Sequence, residues 1–401
     1  MLIKIEIDKK NIEKNLIKIR KINDNIICVL KDDAYGLGIE NILPVLIENN
    51  CRYFAAAYIS EALKIRRLIE KNYPDVLGEI SIMTLNYIEE SEIKKVLKND
   101  IEITIFNFKQ LEKCIEALKR FDILKNNKKN SNIIKKNDNF EDTEVVGNNI
   151  EKNNKLKIHI KLNTGMNRLG FDEEEIEKLI KILEENPNLD IISVYSHIFN
   201  VENEKETENQ ITKYDRVVSL FDKNKIKYRF KHIQASPLLF KYGKKYNYDF
   251  VRTGMAMYGM EPLFESSGLY NAVKVISKVI NIRKIKRGEK ISYGNKNTLK
   301  ENKTVAVIPV GYAHGLQKQI ENKEAYVLIH GEKAKILGEI CMDMIIVDIT
   351  HIKNVQIDDE AVIIGKQGKE EITLLKMSEW AETIQDDVLT KWDKEIKRVL
   401  I

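Results

Sequence analysis

The sequence predicts an α/β protein, a (β/α)8 barrel of the TIM type followed by a mostly β C-terminal domain. Three observations predict it. Short apolar runs alternate with amphipathic stretches over most of the first two thirds of the chain. Beyond residue 262 the pattern changes to alternating strands separated by tight turns. The length, 401 residues, is sufficient for one large domain and a smaller one.

The apolar runs are Ile26–Leu30, Tyr53–Ala57, Ile80–Met83, Ile101–Ile105, Leu156–Leu162, Ile191–Tyr195, Tyr228–Ile233 and a last one from Phe250 onward. Between them lie the helical patterns Ser60–Glu70, Asn107–Phe121, Asp172–Glu185 and Glu206–Asp222. Runs of this length, rich in Ile and Val and followed by helices, read as parallel strands buried on both faces. Eight such units are what a closed barrel needs. A doubly wound open sheet is the alternative that the same pattern allows.

The stretch at about 125–155 is dense in Lys, Asn, Asp and Glu. It has too little apolar surface to offset the entropy of ordering it, and a mobile surface insertion is expected there. After residue 262, strands are expected at Val273–Ile285, Val305–Val310, Tyr326–Ile329, Ile345–Ile349 and Ala361–Ile364, with turns at Lys286–Glu289 and His330–Glu332. The expected division is therefore a barrel over 10–262 and a β-rich domain over 263–401, to which residues 1–9 are assignable.

Composition removes several classes of function. Lys plus Arg number 66 against 61 Asp plus Glu, so the net charge of +5 argues for neither nucleic acid nor an anionic membrane as partner. The hydrophobic share is 43% and the charged share 32%, as in a soluble globular chain. No apolar run approaches the ~20 residues of a membrane span, and the start lacks the layout of a signal peptide, so a cytoplasmic protein is expected. The cysteines Cys28, Cys51, Cys114 and Cys341 form no Cys-x-x-Cys pair and are expected to be reduced. Gly36-Leu37-Gly38 is not a dinucleotide loop, there is no phosphate loop, and the six histidines have no metal-ligand spacing; no metal is expected.

Polar residues at the ends of the apolar runs carry more information, because the C-terminal strand ends form the active face of such a barrel. Lys31 directly follows Ile26–Leu30. A lysine there either snorkels to solvent or is desolvated into a nucleophile able to form a Schiff base.

The words around it decide between these readings. Val29-Leu-Lys31-Asp-Asp-Ala-Tyr35-Gly-Leu-Gly38 resembles the segment in which alanine racemases carry pyridoxal 5′-phosphate on a lysine. The resemblance continues in order through Tyr53–Ala62, Lys161-Leu-Asn-Thr-Gly-Met-Asn-Arg168-Leu-Gly170, Tyr195-Ser-His197, His232–Ser236 and Val251-Arg252-Thr-Gly254-Met255. In the β region it takes in Ile291-Ser-Tyr293-Gly294, Gly311-Tyr312 and Cys341-Met342-Asp343. It covers nearly the whole chain apart from the insertion.

The resemblance implies a fold-type III racemase that interconverts L- and D-alanine with two bases, supplying D-alanine for peptidoglycan. Lys31 would hold the cofactor and act as one base. Tyr293 would be the other, reaching into the partner subunit's barrel, so that the sites are shared within a homodimer. Arg168 would hold the substrate carboxylate, helped by the backbone at Met342. Tyr35, Ser236, Gly254 and Met255 would contact the cofactor phosphate. His197 would lie beside the pyridine ring and Arg252 against its nitrogen, where a guanidinium that keeps its proton discourages side reactions. Tyr312 would line the entrance. The lysine at 161 would be open to carbamylation.

One position departs from the family. Glu382-Thr-Ile-Gln385-Asp386-Asp387-Val aligns with a segment that usually reads Thr-Ile-Asn-Tyr-Glu-Val, so Asp386 stands where a tyrosine contacts the phosphate and borders the substrate side chain. A carboxylate beside a phosphate is repulsive, and it must turn away, be neutralised or face a cation. It also suits a basic amino acid or serine better than a methyl group, which makes a lysine, ornithine, arginine or serine racemase the rival to an alanine racemase. A non-catalytic pyridoxal-phosphate carrier is the rival of another class, although such carriers normally lack the second domain.

Overall fold

The computed structural model describes residues 2–130, 155–263, 267–294, 298–321 and 323–401. The described residues cluster into two compact units. One comprises Arg20–Lys31 and Asn50–Thr253; the other comprises Met1–Ile19, Asp32–Asn49 and Gly254–Ile401.

Strands are numbered along the chain. The first, β1 (Lys4–Ile7), belongs to the second unit. The first unit holds β2 (Ile26–Val29), β3 (Tyr53–Ala56), β4 (Ser81–Thr84), β5 (Glu102–Ile105), β6 (Leu156–Lys161), β7 (Leu189–Tyr195), β8 (Phe230–His232) and β9 (Val251–Thr253). Each of the eight expected runs is a strand. They pair in parallel in the order β8-β7-β6-β5-β4-β3-β2-β9. The sheet comes round on itself where Arg252 N–H donates to Gln234 O at 3.0 Å and Ala235 bridges Arg252. The result is a nearly closed barrel, not an open sheet.

Helices cover it through apolar stripes. Ile176–Glu185 buries Ile176, Leu179, Ile180 and Leu183, the one-face spacing of a 3.6-residue period. It is preceded by a capping box in which Asp172 and Glu175 satisfy each other's backbone N–H groups. The helix expected over 107–121 runs from Phe108 to Asn130, so the first residues of the expected insertion continue it. The rest of that insertion, 131–154, lies outside the described residues.

The second unit is built on a mostly antiparallel sheet. Its strands are β1, β10 (Val273–Lys278), β11 (Asn281–Ile285), β12 (Lys303–Ile308), β13 (Tyr326–Ile329), β14 (Glu332–Leu337), β15 (Ile345–Asp348), β16 (Glu360–Gln367), β17 (Glu370–Ile372) and β18 (Lys397–Leu400). The order is β11-β12-β15-β14-β13-β16-β10-β1-β18, with β17 on β16. The run expected as one strand at Val273–Ile285 is two strands that serve distant parts of this sheet. Strand β1 lies antiparallel to β10 and parallel to β18.

Among the described residues no helix is long and apolar enough to cross a membrane, and no group of three or more His, Cys, Asp or Glu could hold a metal. All four cysteines are free thiols.

Candidate active site

In the barrel unit the expected residues gather at the C-terminal strand ends. Lys31 follows β2, whose pairing extends one residue further through Leu30 N–H to Ala55 O at 2.7 Å. Arg168 projects from the loop after β6. That loop folds back tightly: Asn163 N–H donates to Phe171 O and Phe171 N–H to Lys161 O, both at 2.9 Å. Gly170, at φ +124°, approaches so closely that a Cβ would lie 2.5 Å from the Leu162 carbonyl carbon. Arg168 is exposed, whereas Lys161 at the end of β6 is buried.

Arg252, on β9, is buried and spends its donors on neutral acceptors. Its Nη2 donates to Ser196 O at 2.7 Å, to His197 Nδ1 at 3.2 Å and to Ile233 O at 3.3 Å. Its Nη1 donates to His232 Nδ1. The guanidinium also lies over the Tyr195 ring, 5.1 Å from its centroid. Burial lowers it to about 10, so it still carries its charge at neutral pH. Ser236 is buried with its hydroxyl 3.2 Å from that of Thr253.

His197 marks where these groups meet. Burial pushes its imidazole well below the ordinary range, and Arg252, Lys161, Arg168 and Lys31 push it the same way. Four basic side chains from three strand ends, Lys31 after β2, Lys161 and Arg168 at β6 and Arg252 on β9, thus act on one neutral ring. Lys161 is itself driven well below the usual lysine range, by burial first and then by Arg252 and Arg168.

In the second unit, the chain after Lys31 makes a left-handed turn. Asp32, Asp33, Ala34 and Tyr35 have φ of 55°, 54°, 57° and 58°. Each such residue costs about 1–2 kcal/mol, and strain of this kind concentrates at functional sites. The turn is closed by Gly36 N–H to Asp32 O and Gly38 N–H to Asp33 O, both at 2.9 Å. Asp33 Oδ1 then accepts from Ile39 N–H at 3.1 Å and starts the helix Ile39–Glu48.

Tyr35 is buried edge-on to Tyr258, with ring centroids 5.5 Å apart. Its hydroxyl rests on Gly254, where a Cβ would lie 2.6 Å from the Tyr35 Cζ. Met255 opens the short turn Met255–Tyr258 that follows. The phenol is pushed far up by burial and then by Asp386 and Asp32, so it is a hydrogen-bond donor. Asp386, in the helix Gln385–Thr390, is therefore close to the hydroxyl expected to meet the phosphate. The Gln385 side chain holds that helix through both polar backbone groups of Glu261.

Tyr293, Tyr312 and Met342 occupy neighbouring loops of the β unit. Tyr312 N–H donates to Cys341 O at 3.2 Å and Ala313 N–H to Met342 O at 2.9 Å, while Ser292 Oγ donates to Glu339 O at 2.7 Å. A Cβ on Gly311 would lie 2.5 Å from the Met342 carbonyl carbon. All three apolar side chains are nonetheless exposed, Tyr293 by 67%, Met342 by 59% and Tyr312 by 41%.

Sequence reasoning assigned no role to Glu102, His159, Ser193 or His232, which form a buried polar chain ending on Arg252. The visible signal was polar residues on otherwise apolar strands.

The alanine racemase N-terminal domain family matches residues 7–262, and the alanine racemase C-terminal domain family matches residues 272–400. The chain belongs to the alanine racemase family. Among its curated relatives, alanine racemase 1 of Clostridium acetobutylicum is 32% identical over 99% of this chain and 94% of that protein. The alanine racemase of Thermodesulfovibrio yellowstonii is 30% identical, over 99% and 97%. Among solved structures, the alanine racemase of Clostridium difficile 630 has a TM-score of 0.82 at 25% identity, covering all of this chain and 96% of that one. The resemblance to the alanine racemase family read from the sequence is borne out.

Proposed function

We propose that the protein is a pyridoxal-phosphate-dependent alanine racemase that works as a homodimer. The observation that carries this reading is the convergence of Lys31, Arg168, Lys161 and Arg252 on a neutral His197 at the strand ends of the barrel. The residues fit the cofactor. Lys31 offers an amine at the end of β2, and Arg252 offers a guanidinium that only donates. Tyr35 offers a phenol proton above Gly254, where no side chain fits.

When bound, the cofactor supplies an electron sink that acidifies the substrate Cα–H. The chain's own groups do the rest. Tyr35, Gly254, Met255 and Ser236 would hold the cofactor phosphate. Arg252, fixed by four acceptors, would meet the ring nitrogen as a donor that keeps its own proton. His197 packs beside the ring as a neutral spacer. Arg168 would pair with the substrate carboxylate, helped by the backbone at Met342, and Tyr312 would line the entrance. Lys31 Nζ takes or returns the α-proton on one face, and Tyr293 Oη of the partner subunit does so on the other. Three exposed apolar side chains on adjoining loops are the surface expected of a second copy's docking face.

The decisive experiment incubates purified holoprotein with L-alanine in D2O and follows D-alanine and deuterium at the α-carbon. Both should appear. A carrier would bind the cofactor and give neither.

Asp386 favours a second reading of substrate choice. A carboxylate beside Tyr35 favours a side chain that donates or carries positive charge. Comparing kcat/KM for L-alanine with those for L-lysine, L-ornithine, L-arginine and L-serine decides it; a large alanine preference retires the basic-substrate reading.

A further inference from the structure

A buried row of hydrogen bonds crosses the barrel interior from β5 to β9. Glu102 Oε2 meets His159 Nε2 at 2.9 Å, His159 Nδ1 meets Ser193 Oγ at 2.7 Å, and Ser193 Oγ meets His232 Nε2 at 3.0 Å. His232 Nδ1 faces Arg252 Nη1. Strand register makes the row, since His159 stands opposite Ser193 and Tyr195 opposite His232. Every member is buried.

With one proton on each imidazole, the direction of each bond follows. Arginine has no acceptor, so His232 Nδ1 must accept. A neutral imidazole then carries its proton on Nε2, and burial followed by the charge of Arg252 keeps this ring neutral. His232 therefore donates to Ser193. The serine has one proton left, and it goes to His159 Nδ1. His159 in turn donates from Nε2 to Glu102. All donors point one way, from a guanidinium to a carboxylate, which lets the bonds polarise one another in a dry interior.

Glu102 is the anion that this arrangement needs. Burial raises its carboxyl, but the hydrogen bonds from His159 and the Tyr53 hydroxyl and the charge of Lys157 more than compensate, and it lies low. Arg66 also feels its charge while donating to Asp100 O at 2.8 Å. Arg252 itself donates only to imidazoles and carbonyls, so its counter-charge reaches it along the row. An isolated buried carboxylate costs several kcal/mol, and an apolar residue at 102 would suit a barrel strand better for stability alone.

We propose that Glu102 is a positioning residue for Arg252. Through His159, Ser193 and His232 it gives the row an anionic end that reinforces the tautomer Arg252 requires of His232, and so sets the orientation and donor strength of the guanidinium. This rests on the reading of Arg252 as the group facing the cofactor ring.

The test uses holoprotein labelled with 15N-histidine. His159 and His232 should both appear as Nε2–H tautomers in the wild type; an Nδ1–H form of either overturns the proposal. Glu102→Gln keeps an acceptor for His159 but removes the charge. It should shift the His232 Nδ1 resonance, move the visible band of the bound cofactor and lower kcat with little change in KM. Unchanged resonance or unchanged band overturns it. Ser193→Ala breaks the row while Arg252 still holds His232 as the Nε2–H tautomer, so the His232 Nδ1 resonance should move in the same direction as in Glu102→Gln; an unchanged resonance would overturn the relay. Tyr53→Phe removes a Glu102 contact outside the row and should leave both tautomers as they were; a changed tautomer would count against the row as the controlling path. The tautomers read the relay even if no racemisation is found, so failure here is distinct from failure of the functional reading.

Discussion

Gly254 and Tyr35 share one volume: the tyrosine ring occupies the space a Cβ at 254 would need, with Cζ 2.6 Å from that position. Gly254→Ala must push the phenol off its seat. We expect cofactor affinity, measured by equilibrium dialysis, to fall at least about tenfold, as misplacement of a binding group by an ångström does. The loss should be larger for pyridoxal 5′-phosphate than for pyridoxal, because only the former has the phosphate that Tyr35 would meet. Equal losses would remove Tyr35 from the phosphate site.

The shared-site reading can be checked by complementation. Lys31→Ala and Tyr293→Phe should each lower kcat by about 10²–10⁴-fold, the usual weight of a proton-transfer group. Mixed and reassociated, the two variants should form hybrid dimers with one site that has both groups intact. Recovered activity, up to a quarter of wild type for random reassociation about one site in two chains, is the expected result. No recovery means that Tyr293 serves its own chain.

Lys161 is an amine that burial and two guanidiniums push well below the usual lysine range, which favours its neutral form. A neutral amine reacts with carbon dioxide, and the carbamate formed would answer the surrounding positive charge. Carbon-13 NMR of protein equilibrated with 13C-bicarbonate should show a carbamate resonance, absent in Lys161→Ala. The same variant should raise KM for the substrate, since Arg168 loses an anion that orients it.

Acid should destabilise this fold early. His197 and His232 lie well below the ordinary histidine value when folded, each through burial first and then neighbouring cations. The unfolded chain protonates them near pH 6.5 while the folded chain does not. Their contribution is therefore present above that pH and is lost as pH falls through it. Two such groups give a slope of up to about 2.7 kcal/mol per pH unit below 6. Urea midpoints between pH 7.5 and 5 should fall accordingly, and His197→Asn should roughly halve the slope.

The barrel strands were legible because parallel strands buried on both faces are plain apolar runs, as Ile26–Val29 and Ile103–Ile105 show. Strands β14 and β18 were not, because Glu332, Lys333 and Lys335 or Lys397 face solvent and leave a charged signature. The division of Val273–Ile285 was hidden because both halves alternate alike and only their partners differ. At the site, Lys31, Arg168 and Arg252 stood out because each sits in a recognisable word. The left-handed turn at Asp32–Tyr35 did not, since none of its four residues is glycine, two of them, Ala34 and Tyr35, are types that seldom adopt it, and only tertiary packing holds them there. Glu102, His159, Ser193 and His232 are scattered over four strands, and register alone brings them into line.

Strand β1 has a temporal consequence. Its register pairs Lys4 with Ile276 on one side and with Lys397 on the other. The eight barrel strands all lie between these positions, so a ribosome finishes them while β1 is still without either neighbour. An apolar strand with both edges open is a template for the wrong partner. Protection of Ile5 and Ile7 during synthesis must come from elsewhere, and the final residues of β18 act as the latch whose arrival ends that exposure.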